Sequence, residues 1–316
     1  MTKQNLIKRF FARFMRARAA SAAPAFFFAA AAAGFALAPL DASAAKISDS
    51  VVGSESFGSD TDQSLVVGNG NITIGGDVSV NVTETTLLTG TQLTISSTSG
   101  TLDFGNVTFQ QPVASDSITV SGENVSVAFD KVTAGTGYGK IDVADGAELV
   151  INGDANLSAI TAEGALTVKG TATVETLTAK TGATVTLEAD DASGVNSLVM
   201  AGGTVNVKNF TLDNVNGTNE DNNNASGTIS SSGTLTVNTG TTLTTEALNL
   251  DAQGGAVIDL KNGSEIDLGT GTVSLDADAQ LNIGDAEGAA DLTAESLKAD
   301  ETATTTLNGG TLTLNG

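Results

Sequence analysis

Three phrases decide the reading of this chain: Gly164-Ala165-Leu166-Thr167-Val168, Gly182-Ala183-Thr184-Val185-Thr186-Leu187 and Gly203-Thr204-Val205-Asn206-Val207. Each begins with glycine, continues through a small or β-branched residue, and places two apolar residues on either side of a polar one. Alternation with a period of two puts the apolar pair on one face of a strand. The phrase also occurs from Gly146, Gly233, Gly255, Gly271 and Gly310. The first apolar members of the copies are Leu149, Leu166, Val185, Val205, Leu235, Ile258, Val273 and Leu312. They are spaced by 17, 19, 20, 30, 23, 15 and 39 residues. Leu292 divides the last gap, and treating roughly ten residues of Asn216–Gly227 as an insertion brings the fourth gap near 20, since insertions in repeats map to loops. The expected period is about 20 residues.

A strand this short, apolar on one face, is stable only against neighbours, and equivalent strands in successive repeats provide them. The chain is therefore expected to form an all-β, right-handed parallel β-helix, a β-solenoid of 13 or 14 coils. Asn-Gly pairs at Asn69, Asn152, Asn216, Asn262 and Asn308 supply corners, where positive φ is needed. Residues 45–115 repeat less cleanly and are expected to be irregular first coils with a cap. Residues 116–316 are expected to be the regular repeats. The composition fits a narrow interior: only Phe57, Phe104, Phe109, Phe129, Phe210 and Tyr138 are aromatic beyond residue 44, and Trp is absent.

The first 44 residues have a different character. Lys3, Lys8, Arg9, Arg13, Arg16 and Arg18 precede a 14-residue apolar run from Ala25 to Ala38, and Ala42-Ser43-Ala44 follows. A basic start, a short apolar stretch and an A-x-A site define a secretory signal peptide, with cleavage expected between Ala44 and Ala45. A bilayer-spanning helix needs about 20 apolar residues, so the mature chain is not expected to be membrane-embedded. Lys8-Arg9 has Lys where a twin-arginine signal starts with Arg, so the general secretory route is favoured.

Cleavage there leaves 8 Lys, no Arg and 35 acidic residues, a net charge of 8 − 35 = −27. Nucleic-acid binding, which uses clustered cations, is not expected. Enzymes are disfavoured as well. His and Cys are absent, which removes the Ser-His-Asp and Cys-His constellations and the common zinc sites. Carboxylate pairs at Asp190-Asp191, Asp276/Asp278 and Glu220-Asp221 could serve glycoside hydrolysis in principle, but acids at turns are ordinarily solvated surface. Asn216–Gly227 and Gly284–Glu287 offer oxygen ligands of the kind calcium takes, without an EF-hand or nonapeptide pattern. Gly135–Lys140 lacks the spacing of a phosphate loop. No catalytic residue, cofactor or metal is assigned. The candidate interaction loop is Asn216, Asn219, Glu220, Asp221, Asn222, Asn223 and Asn224.

The Ala-rich signal, the Gly233-Thr234-Leu235-Thr236-Val237 type of phrase and the acidic, cysteine-free composition resemble the passenger domains of bacterial autotransporters. That resemblance covers residues 45–316. It implies a β-helix exported through or beside a C-terminal β-barrel, placed at the cell surface or outside the cell, with the periplasm as the alternative. It implies adhesion or self-association as a structural rod, toward a protein or glycan ligand that the chain does not name. No barrel pattern is visible in this sequence: no aromatic residue follows Phe210, whereas barrels have aromatic girdles. A truncated passenger, with an outer-membrane barrel as partner, is one alternative. A β-helix polysaccharide-active enzyme using carboxylates alone is the other.

Overall fold

The computed structural model describes residues 45–47, 49, 51–53, 56–57, 64–97, 102–134, 137–189, 194–208, 210–212, 215–216 and 225–316. The expected signal peptide lies outside them. The described chain is an all-β parallel solenoid with about 22 residues per turn. Every pairing between named strands is parallel, and each joins a strand to its equivalent one turn on.

Each turn contributes to three faces. On the first face, Ala45–Ile47 pairs with Ser64–Val67, and the ladder continues through Glu84–Leu87, Asn106–Phe109 and Lys131–Thr133. The second face begins with Val51–Gly53, Gly70–Gly76, Thr91–Ser97, Ser117–Val120 and Lys140–Val143. The third can be followed through twelve strands, from Ser56–Phe57 to Ser296–Ala299. At about 4.8 Å per step, that ladder is roughly 50 Å long. In the shorter turns the strands Ala155–Ala162, Ala172–Lys180 and Gly194–Val207 run across corners, so adjoining faces merge into one 25-stranded sheet. Beyond Phe210, a five-stranded and a four-stranded sheet accompany the third face.

The sequence register holds in the middle of the chain. Leu149 pairs with Leu166, Leu166 with Val185, and Val185 with Val205. It then departs from the expected row. Val205 pairs with Ile229, whereas Leu235 pairs with Phe210 and Ile258 on another sheet. Val273 returns to the third face opposite Leu250, and Leu312 stacks on Leu292 in the four-stranded sheet. The physical reason is local. Glycine followed by alternating apolar residues is how any strand leaves a tight corner, so the phrase marks corners of all three faces.

The insertion expected within residues 216–227 shows in the same register: Val199 pairs with Asn216 and Ala201 with Ser226, so the chain takes 226 − 216 = 10 residue steps where the preceding turn takes 201 − 199 = 2. Val205 and Ile229 are 229 − 205 = 24 residues apart, close to the average turn. Val215–Asn216 pairs with Leu198–Val199, and Ser226 pairs with both Ala201 and Ala247. Both ends of the segment therefore belong to the ladder. The true period exceeds 20 because turns before Ala155 and after Phe210 have wider corners. Val107 and Val132, for example, are 25 residues apart. Residues 45–115 contain rungs as regular as those later on: Gly70–Gly76 matches Thr91–Ser97 at seven consecutive positions.

The interior is a set of columns, one residue per turn. Ile74, Ile95, Val120, Val143, Ala162, Ala179 and Met200 form one such column, all buried. Phe104 and Phe129 meet edge-on with ring centroids 5.8 Å apart, the arrangement that aromatic quadrupoles favour. A cross-section of three short strands has room for little more than aliphatic side chains. The scarcity of aromatics follows from that.

Candidate functional surface

Corners, not clefts, hold most of the polar chemistry. Asp103-Phe104-Gly105 and Asp267-Leu268-Gly269 build the same turn on different turns of the solenoid. The aspartate Oδ1 accepts the glycine N–H at 3.0 Å and 2.9 Å respectively. The glycine has φ of 57° or 60° and lies against the preceding turn's backbone, at Thr83 and Glu246. Asp116 does more. It is 1% exposed, and its carboxylate accepts the N–H of Gly90 in the previous turn at 2.7 Å and that of Val113 at 2.8 Å. It fastens the corner loop 110–116 to the ladder. Neither role was read from sequence, although the recurring Asp-x-Gly triplet carried a signal.

Among the described residues, the acids singled out in the sequence sit in turns between strands. Asp276 and Asp278 lie in one exposed turn, where the Asp278 N–H donates to Thr302 Oγ1 at 2.9 Å. Asp190-Asp191 and Glu220-Asp221 lie outside the described residues. In the Gly284–Glu287 turn, Asp285 uses its oxygens on its own backbone. Oδ1 accepts from Glu287 and Gly288, and Oδ2 from Asn262. The Glu287 N–H is the largest cause of an Asp285 pKa below the usual carboxylate range, helped by the Asn262 and Gly288 N–H groups and by Lys261. Asp154 is also held low, first by the Thr171 N–H and then by Lys131. Among the described residues, no three His, Cys, Asp or Glu side chains come together as metal ligands would.

Of the candidate interaction loop, Asn216 ends a two-residue strand whose backbone pairs with Val199, and Asn219 to Asn224 lie outside the described residues. Ala44 lies outside too, and Ala45 opens the first rung opposite Leu65. Lys140, suspected only faintly of a phosphate role, begins a strand between Ser117 and Ala159. Among the described residues, no helix is long and apolar enough to cross a membrane.

What the fold does assemble is flat and repetitive. On the second face the outward residues Thr73, Thr94, Thr119, Asp142, Thr161 and Thr178 stand in one row, in exact register from turn to turn. On the third face Thr184, Thr204 and Thr228 form a similar row. Among the described residues, Lys131–Asp154 and Lys180–Glu163 are ion pairs of exposed side chains, and Lys261–Asp259 is one of half-buried side chains. The molecule is defined by its fold as a parallel β-solenoid. No protein-family model, no curated protein and no solved structure matches the chain.

Proposed function

We propose that this chain is an exported, non-enzymatic structural protein of the autotransporter-passenger type, working at the cell surface or outside the cell by adhesion or self-association. The observation that carries this reading is the solenoid itself. It spends its residues on regular outward rows, and among the described residues the carboxylates of Asp276 and Asp278 lie together in one exposed turn. Such a ladder presents repeated contacts along its length, the geometry by which solenoids bind extended partners. The basic, apolar and small-residue segments of residues 1–44 support export. A strongly acidic chain stays soluble at high concentration and repels anionic lipid and nucleic acid.

Expression of the full chain in a Gram-negative host, followed by fractionation and N-terminal sequencing, tests the proposal. Material outside the inner membrane beginning at or within a few residues of Ala45 is the expected result. A cytoplasmic product with Met1 intact would overturn it.

A further inference from the structure

Threonine favours strands for its own sake, so a threonine row alone says little. Its charge environment says more. Over the seven rungs from Gly70–Gly76 to the 197–200 part of Gly194–Val207, the outward residues at the four positions equivalent to 140–143 are uncharged at every rung but one, while Lys180, at the end of its strand, is paired with Glu163 at the edge of the face. The full chain carries a net charge of −22, and the four-stranded sheet further along turns Glu265, Asp267 and Asp291 outward. The exception is the middle rung of the seven, where Lys140 and Asp142 both stand exposed, two residues apart on one strand. Their charges cancel. Among the described residues neither forms an ion pair.

We infer that this face is where two copies of the chain meet, side by side and parallel, about a two-fold axis that runs along the solenoid. This rests on the self-association reading above and names the surface and the partner. The choice of axis follows from the one charged rung. A two-fold axis parallel to the solenoid brings equal rungs face to face and reverses the strand direction. Position 140 of one copy then meets position 142 of the other, so Lys140 faces the partner copy's Asp142 twice. A two-fold axis along the strands would instead set Lys140 on Lys140 or leave it opposite a neutral row. Acidic rungs such as those of Glu265 and Asp291 would instead repel across such a contact. Like charges juxtaposed across an interface are costly, whereas complementary ones fix register.

The area sets the strength. Six steps of about 4.8 Å and strands of four to seven residues give a face of roughly 30 Å by 15–20 Å, about 450–600 Å² per copy. Standard stable interfaces bury about 800 Å² per partner. The dimer is accordingly weak in dilute solution and forms where copies are crowded. Exposed Val113 and Tyr138, on the corner loops leading into Ser117 and Lys140, border the same central rungs.

Charge reversal decides it. The test uses the chain as purified from the expressing bacterium, processed or not, by sedimentation equilibrium over a concentration series, with circular dichroism to verify the fold. Both residues are exposed, so the variants are expected to fold. Lys140→Asp places acids opposite Asp142, and Asp142→Lys places lysines opposite Lys140. Each is expected to weaken dimerisation at least tenfold, since like-charge contacts at an interface cost well over the amount equivalent to a tenfold change. The double variant Lys140→Asp/Asp142→Lys restores the pairing and is expected to dimerise within about threefold of the parent. A parent that stays monomeric at the highest concentration reached, singles that dimerise like the parent, or a double variant no better than the singles would each overturn the interface. Export and surface placement are read by fractionation, so they can stand while the interface falls.

Discussion

At the scale of single residues, the solenoid divides its positions into two populations with very different tolerance. Val205 is fully buried and stacks between Val185 and Ile229, while the adjacent Asn206 is partly exposed, its Nδ2 within 3.5 Å of Thr186 Oγ1. Val205→Asp would place an unpaired carboxylate in an aliphatic column, at a cost of several kcal/mol. Asn206→Asp is expected to change stability by no more than about half a kcal/mol. Hydrogen exchange compares them directly. Protection should fall around Val185, Val205 and Ile229 in the first variant only, because stability in stacked repeats is nearest-neighbour. Equal protection in both would mean the inward face is misassigned. Gly105 belongs to a third population. Any side chain there meets the Thr83 backbone while φ stays positive, so Gly105→Ala is expected to cost about 2 kcal/mol or more, read from the denaturation midpoint. The inward face was legible in sequence, because period-2 alternation is a local signal. The role of Gly105 was not, since the carbonyl that excludes a side chain comes from the preceding turn.

Strands and the corners between them show why the fold was easier to read than its surface. A strand pattern identifies itself, but the same corner phrase serves three faces. That is why the copies from Val205 onward read as a single row, where the ladder has three. Corner loops are held by contacts far apart in sequence, as Asp116 reaches back to Gly90. Asp116→Ala leaves the Gly90 and Val113 N–H groups without this acceptor in partly buried surroundings, and a loss of about 2 kcal/mol is expected. Asp116→Asn keeps a carbonyl acceptor and should lose less. Urea titration ranks the two, and equal losses would show that charge, not acceptor geometry, holds the loop. The Gly284–Glu287 turn offers a pH test. Asp285 is more acidic folded than unfolded, so its contribution is present above the ordinary aspartate pKa, about 3.9. It is lost as pH falls through the lower folded value. Asp285→Asn should flatten the acid limb of stability in that window, and an unchanged acid limb would remove Asp285 from the account.

For the molecule as a whole, two opposite consequences of charge compete, and their balance can be argued in advance. The net charge of −22 works against compactness, since like charges stacked every few ångströms repel. Attraction is available from exposed pairs such as Lys131–Asp154 and Lys180–Glu163, at 3.3 Å and 2.6 Å, and exposed pairs contribute about 0–1 kcal/mol each. Salt screens both over a Debye length of about 10 Å at 0.1 M and 3 Å at 1 M. The repulsion involves many more charges over longer distances, so screening removes more of it than of the attraction. Stability is therefore expected to rise with sodium chloride between about 0.01 M and 0.3 M, where the Debye length shortens from about 30 Å to below 10 Å. Thermal unfolding at neutral pH and low protein concentration, where dimers are not populated, measures the effect. A midpoint that falls with added salt would mean that the few lysines are placed well enough to outweigh the excess of acids. In that case the neutral second face would lose its special standing as the place where two such chains can approach.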